Sequence, residues 1–313
     1  MKGLIKYSVF LLLIAAGCQG LNRDPYTDTP TTGKIKIGVD ATFKPIADAE
    51  LMVFEGLYRY AEITPLYLPE NESFQLLLSD SVKLILASRQ LNSDERKVFS
   101  DKKINAREIK IATDAVALIV NPSNADTMLS MEAIRNIITG KTTSWKGINP
   151  KSQLDEISVV FDHKNSSIVH YMIDSICGGQ AITGELYALD SNLDVVNYVA
   201  KHSNALGLIG VSWISDRDDT TQMSFLRQIR VVAVSKTEPA TFESSYQPYQ
   251  AYIYDGLYPL SRNLYAIDAE PRNGLATGFA SFLASDKGQR IILKSGIVPA
   301  SAPVRLVKVR GDF

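Results

Sequence analysis

Apolar and polar positions along this chain change period repeatedly. "KIKIGVD" (34–40) alternates with the two-residue period of a half-buried strand. A small polar turn, Asp40-Ala41-Thr42, follows, and the next stretch to Tyr60 carries apolar residues at helical spacing. "AEITPLYL" (61–68) predicts a second strand, "SFQLLLSD" (73–80) a helix and "VKLILASR" (82–89) a buried strand. "IATDAVALIVN" (111–121) is rich in β-branched residues and stops at Pro122, as a central strand would. "SMEAIRNIITG" (130–140) predicts a helix with Ser130 as its cap, Glu132 in its first turn and Gly140 at its end. "ISVVFD", "ALGLIGVSWI" and "IRVVAVS" predict further strands, and "DKGQRIILKSG" (286–296) a late helix ended by Gly296.

Strand–helix alternation of this kind places the chain in the α/β class, with a mainly parallel sheet covered on both faces. Ligands in such sheets sit beyond the carboxyl ends of strands, beside helix N-termini. Three junctions of that type are polar. At the first, Asp40, Ala41, Thr42 and Phe43 either cap a helix or aim free N–H groups at an anion. The second puts Ser88 and Arg89 directly after a strand. That arginine suits bidentate oxyanion binding, or a local ion pair with Asp94 or Glu95. At the third, Asn165, Ser166 and Ser167 open the amphipathic stretch "SSIVHYMIDSI", as an anion cradle or as a cap. Three such junctions in one alternating chain predict that they converge.

Composition narrows the class. With 313 residues, 45% of them hydrophobic, the chain suffices for one large or two medium domains. A net charge of −1 without a basic run gives no reason to expect nucleic acid. Lys2 and Lys6, the apolar run Val9–Ala16 and Gly17-Cys18 read as a lipoprotein signal peptide over 1–17. Its core falls well short of the roughly 20 residues needed to cross a bilayer. Cys18 would then carry lipid and tether the protein to a membrane. Residues 18–33, Pro/Thr/Asp-rich, read as a flexible tether, and Cys177 alone cannot form an intrachain disulfide.

Enzyme patterns fail on inspection. "ITGKT" lacks the first glycine of a P-loop, which would fall at Arg135, and no G-x-S-x-G elbow occurs. His163, His170 and His202 lack metal-ligand spacing, so no metal and no cofactor are expected. Cys177 reads as a small buried apolar residue, and Trp145 and "YQPYQAYIYDGLY" (246–258) as core and interlobe packing.

Six stretches, in order, resemble the phosphate-type substrate-binding proteins of ABC importers. They are "ASRQLNSDE", "KIATDAVALIVNPSN", "LSMEAIRNIITGKTTSWKGI", "YVAKHSNALGLIGVSWI", "YPLSRNLYAI" and "FASFLASDKGQRIILKSGIVPA". The resemblance implies a type II periplasmic-binding-protein fold: two α/β lobes joined by strands crossing near 111–120 and 258–267. Lobe one would comprise 34–113 and 263–303, lobe two 114–262, and 304–313 a tail. It further implies a non-enzymatic, monomeric receptor that holds phosphate or a similar oxyanion between its lobes and delivers it to ABC permease subunits in the cell envelope. Ligand contacts carried over are Asp40 to Phe43, Ser88, Arg89 and Asn165 to Ser167. The usual acidic residue before Ser-Arg falls at Lys83, and Asp40 would either replace it or repel a dianion. The family's Arg…Gly-Ser-Gly-Thr loop becomes Asp162-His163-Lys164-Asn165-Ser166-Ser167, and "YLPENES" replaces a glycine-rich loop. These changes motivate a second expectation, a binding or scaffold lipoprotein of the same fold that has lost phosphate recognition.

Overall fold

One strand that changes partners, and the strand beside it, organise the molecule. The computed structural model describes residues 28–180, 186–216 and 218–301. The signal segment, Cys18, positions 18–27 of the tether and the tail 304–313 lie outside these residues. Strands in chain order are β1 (Thr32–Asp40), β2 (Tyr60–Leu68), β3 (Leu84–Ala87), β4 (Arg107–Val120), β5 (Met128–Ser130), β6 (Ser158–Phe161) and β7 (Leu186–Ala188). They continue with β8 (Ala205–Gly210), β9 (Arg230–Val231), β10 (Ala233–Ser235), β11 (Ser245–Tyr246), β12 (Ser261–Asp268) and β13 (Val298–Pro299).

The main sheet runs β2-β1-β3-β12-β4-β8-β6-β7, with β9 and β13 also on β4. β1 is parallel to β2 and β3, and β6 is parallel to β7 and β8. β12 and β4 are the antiparallel insertions. β4 pairs with β12 from Arg107 to Ala115 and with β8 from Val116 onward. The two sheet halves therefore share β4, and β12 lies beside the change of partner, as expected for the crossing strands. Mixed α/β architecture matches the class read from the sequence.

Residues Ile111–Val120 are buried almost throughout, which explains why this strand reads as a continuous apolar run rather than an alternating one. The core extends across β4 from Ile37, Val39 and Phe54 in the first half to Val159, Val195 and Ile209 in the second. A smaller cluster, Phe74, Leu77, Ile85 and Phe99, seals the other face of the first half.

Local predictions hold where capping chemistry is explicit. Ser130 accepts from Ala133 N at the start of helix Met131–Ile138, and Gly140 leaves it with a positive φ of 71°. Trp145 is fully buried, its Nε1 donating to the carbonyl of Asn204 at 3.0 Å, and Cys177 is buried. The tyrosine-rich segment differs from expectation. Tyr258 is buried and donates to Val116 O at 2.7 Å, but Tyr249, Tyr252 and Tyr254 are exposed. A five-residue helix, Gln250–Tyr254, turns them outward. The helix predicted from Ser166 changes pitch after one turn, passing from Ser167–Tyr171 into a π-helical turn at Met172–Ile176. The end of the predicted tether is packed: Asp28 Oδ1 accepts from Leu275 N at 2.9 Å, and β1 already begins at Thr32.

Candidate functional site

All three polar junctions lie at carboxyl ends of parallel strands, after β1, β3 and β6. After β1 the chain makes one tight turn, Ala41–Phe43, capped by Asp40, whose Oδ1 accepts from Thr42 N at 3.1 Å. Helix Lys44–Leu57 follows, with Pro45 in its first turn where a missing N–H costs nothing. Thr42 is buried and reaches across to the second sheet half. Its hydroxyl donates to Asp162 Oδ2 at 3.3 Å and lies 3.4 Å from Ser167 Oγ. Its carbonyl accepts from Trp213 Nε1 at 2.8 Å. Gly210 permits this approach, because a Cβ there would lie 2.6 Å from Thr42 Cγ2.

From β6, Ser166 caps helix Ser167–Tyr171, and Ser166 and Ser167 are both buried. Asn192 fixes the neighbouring acid, donating to Asp162 Oδ2 at 3.0 Å while accepting from Gly210 N at 3.1 Å. From β12 comes Arg262, buried, its Nη1 donating to Ser167 Oγ at 2.8 Å. Its Nη2 meets Asp114 Oδ2 on β4 at 3.2 Å, and its guanidinium lies 4.7 Å from the Phe43 ring. A cavity of about 230 Å³ opens beside these groups, bordered by Asp40, Ala41, Tyr67, Asp162, Ser166 and Trp213.

The second junction behaves differently. Ser88 donates both N–H and hydroxyl to the buried carboxylate of Glu70, at 2.6 and 2.7 Å. Arg89 is held in a fork by Glu95 at 2.8 and 2.9 Å, over the Phe74 ring. Glu95 also completes a capping box with Asn92. Of the two roles open to Arg89, the structure shows the local ion pair, and Arg89 does not border the cavity. Asn165 is exposed and also stands outside it. The structure thus brings together Asp40 to Phe43, Ser166 and Ser167. It adds Arg262, Asn192, Asp162 and Trp213, which the sequence did not single out. His163, half-buried, and Lys44, paired with Asp48 at 2.7 Å, both border the cavity.

The electrostatics are unusual for an anion site. Burial, reinforced by the charge of Glu70, pushes the Asp40 carboxyl up to about 7, against the pull of Arg262. Its Oδ2 is buried without a hydrogen-bond partner. Burial also raises Asp162, opposed by hydrogen bonding and by Arg262. Arg262 is therefore the positive centre around which Asp40, Asp114 and Asp162 are arranged.

A larger cavity, about 710 Å³, lies among Val211, Ile214, Met223, Leu226, Tyr249 and Leu293. Its polar groups are engaged locally: Lys294 with Asp218 at 3.3 Å, and Gln250 with the carbonyls of Leu293 and Ile297. We place the candidate site in the smaller one, where donors converge. Among the described residues no group of three or more His, Cys, Asp or Glu is placed to hold a metal, and no helix is long and apolar enough to cross a membrane.

The sequence matches the family described as "PBP superfamily domain" over residues 24–287. It is 29% identical over 220 residues to the phosphate-binding protein PstS of Staphylococcus saprophyticus, covering 69% of this chain and 65% of that protein. Identity to the phosphate-binding protein PstS of Staphylococcus aureus is 24% over 281 residues, covering 88% and 81%. Among solved structures, a Clostridium perfringens protein with bound phosphate superposes with a TM-score of 0.70 at 19% identity. That superposition covers 86% of this chain and 100% of the other, and shows the fold.

Proposed function

Since the chain belongs to the PBP superfamily and has its type II fold, we propose that it is a non-enzymatic receptor for phosphate or a similar oxyanion. It would capture the ion between the sheet halves and hand it to an ABC permease. One observation carries this reading: Thr42, Ser167 and Arg262 meet from both halves at the strand ends, beside one small cavity that Ser166 borders. Hydroxyls and a guanidinium in a water-poor cleft are strong oxyanion donors. The relatives named as phosphate-binding support the ligand class.

The lobes proposed are 34–113 with 263–303, and 114–262, closing about β4 and β12. Calorimetry on a lipid-free form starting at residue 20 is expected to show phosphate binding, with sulfate, molybdate and arsenate as comparisons. Affinity should fall as pH rises through 7, because ionised Asp40 then adds negative charge beside the ligand. No heat with any anion from a folded sample would overturn the reading.

We also propose lipidation at Cys18, a monomeric state and an envelope location facing the periplasm or, in a one-membrane cell, the exterior. Cys18→Ser is expected to move the protein into the aqueous phase of a detergent partition. A variant that still partitions with membranes would refute the anchor.

A second reading, a binding or scaffold lipoprotein without phosphate recognition, is favoured by one observation. The loop Asp162 to Ser167 lacks the arginine and both glycines that the resemblance expects. Failure of every small anion to raise the melting temperature would select it.

A further inference from the structure

The centre of the candidate cradle is filled by the protein itself. Asp162 lies at the end of β6, 3% exposed, with both carboxylate oxygens engaged. Oδ2 accepts from Thr42 Oγ1 at 3.3 Å and from Asn192 Nδ2 at 3.0 Å, and Oδ1 accepts from His163 N at 3.1 Å. Thr42 belongs to one sheet half, Asp162 and Asn192 to the other. Arg262, the buried cation of the site, acts on the same carboxylate electrostatically. Thr42 and Ser167, the two hydroxyls best placed to grip an oxyanion, are 3.4 Å apart and so already in contact. A hydroxyl has one proton to donate, and Thr42 already gives its proton to Asp162, so it can grip an external anion only if Asp162 releases it.

We propose that Asp162 is a surrogate ligand: its carboxylate occupies the oxyanion cradle, latches the two sheet halves through Thr42, and must be displaced before an external anion binds. This inference rests on the oxyanion reading above and names a specificity determinant within that site. A carboxylate offers two oxygens and one charge in a plane. Tetrahedral oxyanions with more oxygens can engage Thr42, Ser166, Ser167 and Arg262 together and so replace it. Simple carboxylates offer nothing that Asp162 does not already supply. The adjoining cavity of about 230 Å³, which Asp162 borders, gives its side chain somewhere to go. Observed affinity is lowered by the fraction of molecules in which the latch is closed.

The test compares wild type, Asp162→Asn and Asp162→Ala by calorimetry with inorganic phosphate, after melting curves confirm folding. Trp213 supplies a second signal, since its Nε1 donates to Thr42 O across the same junction, and Trp145→Phe leaves it as the one tryptophan. Asp162→Ala is expected to bind phosphate about tenfold more tightly or better, the scale of one charge-assisted competitor removed. Its ligand-free Trp213 emission should shift to the red as the latch opens. Equal phosphate binding would overturn the proposal by showing that Asp162 does not compete, and weaker binding would overturn it by making Asp162 a ligand contact; either leaves the receptor reading intact. Absence of binding in all three proteins would overturn both. Unchanged Trp213 emission in ligand-free Asp162→Ala would refute the latch whatever the calorimetry gives.

Discussion

Glu50→Met is expected to raise the melting temperature at pH 8.5 by on the order of 5 °C or more, and by little at pH 4. Glu50 lies on the buried face of helix Lys44–Leu57 with Ile46, Ala47, Leu51 and Phe54, and is 0% exposed. Neither carboxyl oxygen has a hydrogen-bond partner. Burial alone pushes its pKa from 4.5 up to about 9, so the folded protein keeps it as the neutral acid at pH 7. The unfolded chain ionises it near 4.5. Folded molecules thus hold a proton that unfolded ones release, and stability is lost as pH rises from 4.5 to about 9. Across the interval up to pH 7 this linkage amounts to about 3 kcal/mol. Methionine has similar length, no charge and an adaptable side chain, so it removes the linkage at a small packing cost. The check is a melting series from pH 4 to 9 on both proteins. An advantage for methionine that does not grow with pH would show that Glu50 is ionised and partnered in solution.

Arg262→Met is expected to destabilise by about 3–5 kcal/mol and to remove anion binding. The side chains of Arg262 and Asp114 are 2% and 0% exposed, and both guanidinium contacts, 3.4 Å from Nε and 3.2 Å from Nη2, fall on a single oxygen, Asp114 Oδ2. The other oxygen is buried without a partner. Burial already raises the Asp114 pKa against the pull of Arg262, so losing the arginine leaves a carboxyl that must take up a proton to stay inside. Destabilisation should therefore be larger at pH 8 than at pH 5. Adding Asp114→Asn should restore much of the stability and none of the binding. Recovery of binding in that double variant would remove Arg262 from the site. Loss of stability without a pH trend would mean that the packing of its stem, rather than the charge pair, matters.

How far such features can be read in advance depends on whether their causes are local. Strand–helix alternation and the caps at Asp40, Ser130 and Ser166 are written within a few neighbouring residues, so the α/β class and the three junctions were legible. The fate of Arg89 was also local, since Glu95 lies six residues away inside its own capping box, and both readings of Arg89 were open for that reason. Arg262 and Asp114 were not legible. Each is a charge set among apolar neighbours in its strand, and their meeting depends on the register that sets Arg262 opposite Asp114 across 148 residues. Even so, a charged residue at an inward position of a predicted strand was a signal worth following. Glu70 was hidden because "YLPENES" reads as a loop, whereas Glu70 begins helix Glu70–Leu78 and turns inward to hold Ser88. Asp162 reads as one more polar loop residue until the other sheet half is brought against it.

The way the chain enters β1 fixes how an anchored receptor would be oriented. Pro30 lies so close to the helix Leu275–Ala284 that a Cβ on Gly278 would sit 1.8 Å from its carbonyl oxygen, and Asp28 is bonded to that helix's first turn. A leash would therefore leave from the amino end of β1, about nine residues and some 30 Å of strand from the mouth at Asp40. Only nine residues, 19 to 27, lie between Cys18 and Asp28, a reach of at most about 35 Å. On so short a leash the body would hang with its mouth toward the solvent, facing the incoming solute. Delivery to a membrane partner would then require it to roll onto its side rather than merely drift, and lengthening the leash would change how often it does so.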